Sequence, residues 1–187
     1  MRILMLGNSF TYFNDLPEIL AALTGWDVVS HTRGGAYLHE HLDPTAELGI
    51  KTLPLLRKER FDYVVMQGQS QEPFRCRAQF LEAVSGLCPL IRAAGATPVL
   101  YATWAYKDAT QRLSDTGLSY ADMLAKLTEG YTAAAQANSA LLAPVGKAFS
   151  DTRKLLDLYV EDDYHPSQTG SLLAAMTIAK TIREHLK

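Results

Sequence analysis

Two short stretches at opposite ends of the chain carry residue types that can act together in nucleophilic catalysis. Ser9 lies in the sequence Gly-Asn-Ser-Phe-Thr, shortly after the apolar run 2–6. Near the other end, Asp162 precedes His165 by three positions, and Pro166 follows. A histidine that acts as a general base needs a carboxylate on its second ring nitrogen, because that bond fixes the tautomer and stabilises the imidazolium. The sequence therefore indicates a triad that would attack an ester carbonyl, in the order Ser9, Asp162, His165.

An ester carbonyl attacked by Ser9 would develop a negative oxygen that needs preorganised N–H donors. The backbone amides of Ser9 and Gly35 are candidate donors. The polar run Gln-Gly-Gln-Ser-Gln at 67–71, which we call the third block, offers a side-chain amide from Gln69 or Gln67. Each feature alone also has a structural interpretation as a turn or a helix cap. The combination favours catalysis.

The elements that must position these residues alternate between strands and helices. Apolar runs predict five strands, at 2–6, 27–31, 62–67, 99–103 and 140–145. Longer amphipathic stretches predict helices at 15–23, 46–59, 75–94, 119–136 and 167–185. This alternation predicts an α/β fold with a parallel sheet and helices on both faces. Ligands bind beyond the carboxyl ends of such strands, so the turns after the first three strands are expected to meet at one edge.

Local signals refine this picture at helix ends and in one loop. Asp15, followed by Glu18 three positions later, predicts a helix start with Asp as the N-cap. Cys76 and Cys88 are expected on one helix, too far apart for a disulfide, and so as free thiols. Segment 104–117 lacks periodicity and is expected to form a long connection that shapes specificity.

Size and charge limit the class of protein. The chain has 187 residues, 48% apolar and 20% charged, which is typical of a soluble globular protein and predicts one domain over 1–187. A net charge of −2 gives no basis for binding nucleic acid. No apolar stretch reaches about 18 residues, so no membrane-spanning helix is expected. The amino terminus lacks a secretory layout, and we expect a cytoplasmic protein unless a signal has been removed.

These blocks, in this order, resemble those of the SGNH hydrolases, also called GDSL hydrolases. The resemblance rests on 7–11, the glycine pair 34–35, 68–70 and 162–166, and it spans the whole chain. It implies a flavodoxin-like fold, here a three-layer α/β/α sandwich around the five predicted parallel strands. It also implies esterase, lipase, thioesterase or carbohydrate deacetylase activity on a small-molecule ester, without metal or cofactor.

Carried over by position, the resemblance implies that Ser9 is the nucleophile, that Gly35 is an oxyanion donor, and that Asp162 and His165 complete the triad. The family's usual Gly-Asp-Ser is Gly-Asn-Ser here, which leaves the nucleophile in place. We therefore expect a serine esterase that works through an acyl-enzyme.

The third block departs further from the family, whose usual run is Gly-x-Asn-Asp with the Asn side chain donating to the oxyanion. A literal alignment places Ser70 at the Asn position. A glutamine amide can supply the same N–H from a longer arm, so Gln69 is preferred, with Gln67 and Ser70 as alternatives. Some branches of this family that resemble sugar acetylesterases also carry glutamine-rich third blocks, which favours a small acyl group, such as acetyl, on a carbohydrate.

Several further interpretations stay open at this stage. Tyr12, Trp104 and Tyr106 are candidates for a substrate wall, since aromatic faces suit sugar rings and acyl chains. His39 and His41 are expected to be surface histidines, because no third metal ligand is evident. The alternative functions are a thioesterase or lysophospholipase of the same fold, and a non-catalytic module that binds a sugar or an anion in the same cleft.

Overall fold

The computed structural model describes residues 1–187 as a parallel sheet covered by helices on both faces. The strands are β1 (Arg2–Gly7), β2 (Asp27–Thr32), β3 (Tyr63–Met66), β4 (Thr97–Tyr101) and β5 (Leu141–Ala143). They lie in the order β2-β1-β3-β4-β5, and every neighbouring pair is parallel. This is the doubly wound order of flavodoxin-like folds, so the predicted fold class and the five-stranded parallel sheet are confirmed.

Nine α-helices connect and follow the strands, with two short 3-10 helices at Phe13–Asp15 and Leu38–His41. The α-helices are α1 (Ser9–Tyr12), α2 (Leu16–Thr24), α3 (Glu47–Lys58), α4 (Glu72–Arg75), α5 (Arg77–Ala93), α6 (Gln111–Ser114), α7 (Tyr120–Ala137), α8 (Val145–Thr152) and α9 (Gln168–His185). Helix α2 packs against α9 on one face of the sheet, and α5 packs against α7 on the other. Connections between parallel strands are right-handed. The connection from β1 to β2 crosses the sheet in one direction and the later connections cross it in the other, so α2 lies on the opposite face from α5 and α7. None of these helices combines the length and the apolar character needed to cross a membrane.

The inner strands are buried along almost their whole length because helices cover both of their faces. Leu4 of β1, Val64 of β3 and Leu100 of β4 have no exposed surface. The edge strand β2 is half-buried or exposed throughout. The loops that leave β1 and β3 therefore start from the most firmly packed part of the sheet.

The chain leaves β1 through a helix, where the sequence indicated only a turn. Asn8 caps α1, since its Oδ1 accepts a hydrogen bond of 3.1 Å from the N–H of Phe10. The predicted helix start is confirmed, since Asp15 is the N-cap residue of α2, but its side chain makes no capping bond. Asn14 and Asp15 both adopt the left-handed conformation, with φ of 54° and 55°, instead of the extended backbone usual at an N-cap.

The long helix predicted over 75–94 is confirmed as α5, which begins two residues later than predicted, and the short helix α4 ends just before Cys76. Cys76 therefore lies at a helix junction, and the expectation that both cysteines share one helix is wrong. Both thiols are free, as expected. Cys88 is buried in α5, and this burial raises the pKa of its thiol to about 11.

A buried polar cluster lies between β2 and α3. The Nδ1 atoms of His31 and His41 each lie 2.8 Å from the hydroxyl oxygen of Thr52. His41 has no exposed surface, so its expected place on the surface is wrong. Its Nε2 is buried without a hydrogen-bond partner. Burial, with a smaller contribution from His31 and Arg33, lowers the pKa of His41 to about 3.

We predict that His41 makes the stability of the protein depend on pH. Its pKa is about 3 in the folded state against 6.5 ordinarily, so the unfolded chain binds more protons between these values. The free energy of unfolding should fall as the pH is lowered below 6.5, by at most about 1.4 kcal/mol per pH unit from this group. The variant His41→Asn keeps a polar atom near Thr52 and cannot be protonated in this range.

The measurement is urea denaturation of both proteins at pH 7 and pH 5. We expect the stability advantage of the wild type over His41→Asn to shrink by about 2 kcal/mol at the lower pH. A difference between the two proteins that is the same at both pH values would contradict the prediction.

Candidate functional site

Ser9, His165 and Asp162 form a continuous chain of hydrogen bonds at the carboxyl edge of the sheet. The Oγ atom of Ser9 lies 2.8 Å from Nε2 of His165, and Nδ1 of His165 lies 2.6 Å from Oδ2 of Asp162. An ionised carboxylate can only accept, so Nδ1 carries the proton and Nε2 is free to accept from the serine hydroxyl. In this arrangement the imidazole can remove the serine proton.

The carboxylate of Asp162 is held by three donors. Besides the His165 ring, its Oδ1 accepts from the backbone N–H of His165 at 2.9 Å and of Tyr164 at 3.1 Å. Burial alone would raise the pKa of Asp162, but these hydrogen bonds to its charged form outweigh the burial, and the net effect lowers the pKa. Asp162 therefore stays ionised at neutral pH and fixes the imidazole tautomer.

The loop that carries the histidine is fixed by hydrogen bonds to its backbone. The carbonyl of His165 accepts from the N–H of Val160 at 3.0 Å. The carbonyl of Tyr164 accepts from the indole N–H of Trp104, also at 3.0 Å. Asp163 turns the chain with a φ of 67°, a left-handed conformation that Asp tolerates better than most residues. The imidazole is thus presented from a rigid turn.

Asn14 ties the amino-terminal segment to the histidine loop. Its Nδ2 donates to the carbonyl of Pro166 at 2.8 Å and to the hydroxyl of Ser171 at 2.9 Å. Next to it, the ring of Phe13 stacks on the imidazole of His165, with centroids 4.4 Å apart and planes 8° from parallel. Sequence reasoning missed Asn14; the available signal was an Asn between two helices, where left-handed backbone is common.

Gln67 lies beneath the serine loop and not in the cleft, so the prediction that it is an alternative oxyanion donor is wrong. Its Oε1 accepts from the N–H of Asn8 at 3.0 Å and from the hydroxyl of Thr11 at 2.9 Å, and its Nε2 donates to the carbonyl of Gly68. A Cβ atom at Gly7 would lie 2.6 Å from Gln67 Oε1, so this close approach requires glycine. Gln67 positions the serine loop.

Two backbone N–H groups in the cleft have no acceptor within the protein. Ser9 is the first residue of α1, so its N–H has no carbonyl partner inside that helix. The N–H of Gly35 makes no hydrogen bond, and a φ of 69° suits this position to glycine. Both residues line the same cleft.

The third block contributes Gln69 and Ser70 to this cleft. Oε1 of Gln69 accepts from the N–H of Gln71 at 2.9 Å, and its Nε2 donates to the hydroxyl of Ser70 at 3.1 Å. The second hydrogen of that amide has no partner in the protein. The hydroxyl of Ser70 is also paired with the phenol of Tyr106, with 2.7 Å between the oxygens. Gln69 therefore keeps one spare N–H, whereas the Ser70 hydroxyl is already engaged twice.

The three aromatic candidates lie in different environments. Tyr106 lines the cleft, as expected for a wall residue. Tyr12 is 41% exposed and does not line the cleft. Trp104 is fully buried and stacks on Phe149 and Phe10, with centroids 4.0 Å and 4.7 Å away. The prediction that Trp104 forms a substrate wall is wrong, because its ring fills the core behind the histidine loop.

The cleft has a volume of about 260 Å³ and is lined mostly by polar residues. Its outer wall includes residues that the sequence analysis did not single out, namely Arg112, Asp115, Thr116 and Tyr164. The first three lie on or next to α6, inside the 104–117 connection. The sequence therefore indicated the segment that shapes the cleft but not the residues.

Glu72, also missed, is a buried carboxyl that joins two of the loops around the cleft. It is 1% exposed, and its Oε2 accepts from the N–H of Gln69 at 2.8 Å and of Leu38 at 3.3 Å. Its other oxygen, Oε1, is buried without a partner. Burial raises the pKa of Glu72 to about 7, against the smaller opposing effect of those two hydrogen bonds.

We predict that Glu72 opposes the pH dependence set by His41. The pKa of Glu72 is 4.5 ordinarily and about 7 in the folded protein, so the folded state binds more protons between these values. The stability from this group is present below pH 4.5 and is lost as the pH rises through 7. Glu72→Gln stays neutral and can still accept both N–H bonds.

Denaturant unfolding at pH 5 and pH 8 tests this prediction. We expect Glu72→Gln to gain stability relative to the wild type at the higher pH, on the order of 2 kcal/mol. The prediction fails should the variant lose stability relative to the wild type as the pH rises.

Comparison with solved structures shows which proteins resemble this chain in fold and sequence. A protein from Slackia heliotrinireducens assigned to the SGNH hydrolases is 41% identical, with a TM-score of 0.91 over 97% of this chain and 98% of that chain. The crystal structure of TesA matches with 18% identity and a TM-score of 0.72, over 98% of this chain and 99% of that chain. A catalytic mutant of Axe2, an acetylxylan esterase from Geobacillus stearothermophilus, matches with 15% identity and a TM-score of 0.64, over 97% and 93% of the two chains.

Neither a scan against protein-family models nor a search of curated proteins gave a match. The likeness to TesA and Axe2, at these identities, concerns the fold alone. The likeness to the Slackia protein extends over nearly the whole of both sequences.

Proposed function

The chain belongs to the SGNH hydrolase family, and on this premise we propose that it hydrolyses esters of small acyl groups through a covalent intermediate on Ser9. The observation that carries the proposal is the 2.8 Å contact between the Ser9 hydroxyl and Nε2 of His165, with Asp162 bonded to the other ring nitrogen. A serine, an imidazole and a carboxylate in this order form an acid–base relay that activates the hydroxyl.

In the first half-reaction, His165 accepts the proton of the Ser9 hydroxyl as the serine oxygen bonds to the carbonyl carbon of the ester. The resulting tetrahedral intermediate collapses when the bond from that carbon to the alcohol oxygen breaks. His165 then gives its proton to the departing alcohol. The acyl group is left on Ser9, and the imidazole is neutral again.

In the second half-reaction, water replaces the alcohol. His165 removes a proton from the water as its oxygen bonds to the acyl carbon. The bond to the Ser9 oxygen breaks, and His165 returns the proton to that oxygen. The carboxylic acid leaves, and the site is restored.

The oxyanion of each tetrahedral intermediate would accept hydrogen bonds from Ser9, Gly35 and Gln69. The unpaired N–H groups of Ser9 and Gly35 and the spare amide hydrogen of Gln69 support this assignment. Donors held in place before the reaction stabilise developing charge without reorganisation. Ser70 is the remaining alternative in the third block.

The size and lining of the cleft support a small acyl group, such as acetyl, on a polar alcohol. About 260 Å³ of mostly polar space suits an acetyl group with part of a sugar ring, whereas a long acyl chain needs an extended apolar channel. Tyr106 and Tyr164 offer aromatic faces of the kind that sugar rings pack against. An acylated carbohydrate is therefore the proposed substrate class.

We predict that Ser9→Ala lowers the turnover of p-nitrophenyl acetate by about 10⁴-fold or more, since removal of a triad serine abolishes the covalent route. A fluorophosphonate probe should label the wild type at Ser9 and leave the variant unlabelled. The matched control is Ser30→Ala, an exposed serine on β2, which should keep wild-type turnover and labelling.

Wild-type turnover by Ser9→Ala would refute the proposal. A wild-type protein that binds sugars but forms no adduct with the probe would favour the non-catalytic module.

We predict that Gln69→Ala lowers kcat by about 10²-fold with little change in KM, because the lost donor acts on the transition state. The comparison is steady-state kinetics with p-nitrophenyl acetate, with the exposed Gln136→Ala as the control. If kcat is unchanged in Gln69→Ala, Gln69 is not the third oxyanion donor and Ser70 becomes the candidate. The same assay on Ser70→Ala then tests that residue.

A further inference from the structure

One wall of the cleft presents a cation whose donors are unused. Arg112 lies in α6 and lines the cleft, yet it makes no hydrogen bond or ion pair within the protein. Two other arginines are engaged: Arg75 donates to the carbonyl of Thr116 at 2.8 Å, and Arg153 pairs with Asp108 at 3.1 Å. Arg112 is exposed, so its N–H groups are open to water, and an acceptor that enters the cleft can take the place of that water.

Aromatic rings hold this guanidinium without using its N–H groups. The central carbon of Arg112 lies 4.0 Å from the ring centroid of Tyr164 and 5.5 Å from that of Tyr106. The phenol of Tyr106 is fixed by Ser70 at 2.7 Å and by Gln71 at 3.0 Å. Stacking orients the plane of the guanidinium, so its fork of donors is preorganised for a planar anion.

The other charged residue in the cleft does not neutralise Arg112. Asp115 follows it by three positions, but no oxygen of Asp115 forms an ion pair with the guanidinium. The Asp115 carboxylate instead accepts from the side-chain amide of Gln111 at 2.7 Å. The cleft therefore combines one satisfied carboxylate with one cation that lacks a partner.

The position of Arg112 assigns it to the leaving-group side of the proposed reaction. The Tyr164 ring that carries the guanidinium also packs against the imidazole of His165, with centroids 4.1 Å apart. In the mechanism above, His165 hands its proton to the alcohol, so the alcohol must lie on the histidine side of Ser9. We therefore expect a group on the alcohol, rather than one on the acyl chain, to face Arg112.

We propose that Arg112 binds a carboxylate on the alcohol portion of the substrate. The substrate class becomes the acyl esters of alcohols that carry a carboxylate, acidic sugars among them. This inference rests on the proposed function, which it narrows. Arginine recognises carboxylates through two parallel hydrogen bonds, a geometry that a neutral amide of the same shape cannot reproduce with equal strength.

The test compares 4-carboxyphenyl acetate with its neutral match, 4-carbamoylphenyl acetate. Each ester is assayed with the wild type and with Arg112→Gln, so that the intrinsic reactivities of the two phenols cancel. We expect Arg112→Gln to lower kcat/KM about tenfold for the carboxylate ester, the effect of one charge-assisted pair, and less than about twofold for the amide ester. The preference should also weaken at high salt.

The matched control is Arg153→Gln, which removes the same charge from an arginine stacked on another tyrosine, 3.8 Å from the ring of Tyr120 and outside the cleft. This variant should leave the ratio of kcat/KM between the two esters unchanged. An equal fall for both esters with Arg112→Gln would mean a structural role, and no fall for either would remove the role altogether; both results overturn the inference. A third ester, 4-nitrophenyl hemisuccinate, has its carboxylate on the acyl side. The assignment to the alcohol would be overturned if Arg112→Gln lowered kcat/KM for this ester and left kcat/KM for 4-carboxyphenyl acetate unchanged.

A binding measurement keeps this inference separate from the esterase proposal. Calorimetry should show that Ser9→Ala binds 4-carboxyphenyl acetate. The double variant Ser9→Ala, Arg112→Gln should bind it with an affinity about tenfold lower. Binding through Arg112 without any turnover by the wild type would contradict the esterase proposal and leave the carboxylate site standing. If the wild type hydrolyses the ester but its affinity does not depend on Arg112, the carboxylate site is contradicted and the esterase proposal stands.

Discussion

The hydrogen bond between the Ser9 hydroxyl and the His165 imidazole is the contact on which the site depends, and it joins residues 156 positions apart. A bond between such distant residues persists only where the folded chain brings their backbones together independently. The doubly wound topology does so, since β1 ends and α9 begins at the same edge of the sheet. Asn14 then holds the segment after Ser9 against the loop that carries His165, because its Nδ2 donates to the carbonyl of Pro166.

Buried side chains that never reach the cleft determine where its backbone donors lie. Gln67 accepts from the loop that carries Ser9, and Glu72 accepts from both Gln69 and Leu38, so three loops are tied to two buried polar groups. A buried acceptor left without donors is costly, which makes these bonds strongly preferred in the folded state. The loops are consequently set in place before any substrate arrives, as electrostatic stabilisation of an oxyanion requires.

The sequence was informative where chemistry depends on local spacing or periodicity. Ser9 after an apolar run, Asp162 three positions before His165, and the alternation of strands and helices can all be recognised from short windows. The sequence was misleading where a role depends on a distant partner. Gln67 looked like a cleft donor because nothing local reveals that Asn8, on another strand's loop, needs its oxygen. Trp104 looked like a wall because segment 104–117 has no period that would signal burial.

The residues proposed for chemistry and the residue proposed for recognition occupy different kinds of structure. The former lie on the turns after β1, β2 and β3 and on the loop before α9, while Arg112 lies on α6 in the long connection after β4. That connection is secured separately: Arg75 donates to the carbonyl of Thr116 next to α6 and also to the side chain of Gln71 in the third block. The outer wall is therefore held firmly against the third block without contributing to the sheet. Because no hydrogen bond joins α6 to the turns that carry Ser9 and His165, the scaffold offers a way to change the choice of alcohol separately from the machinery around Ser9.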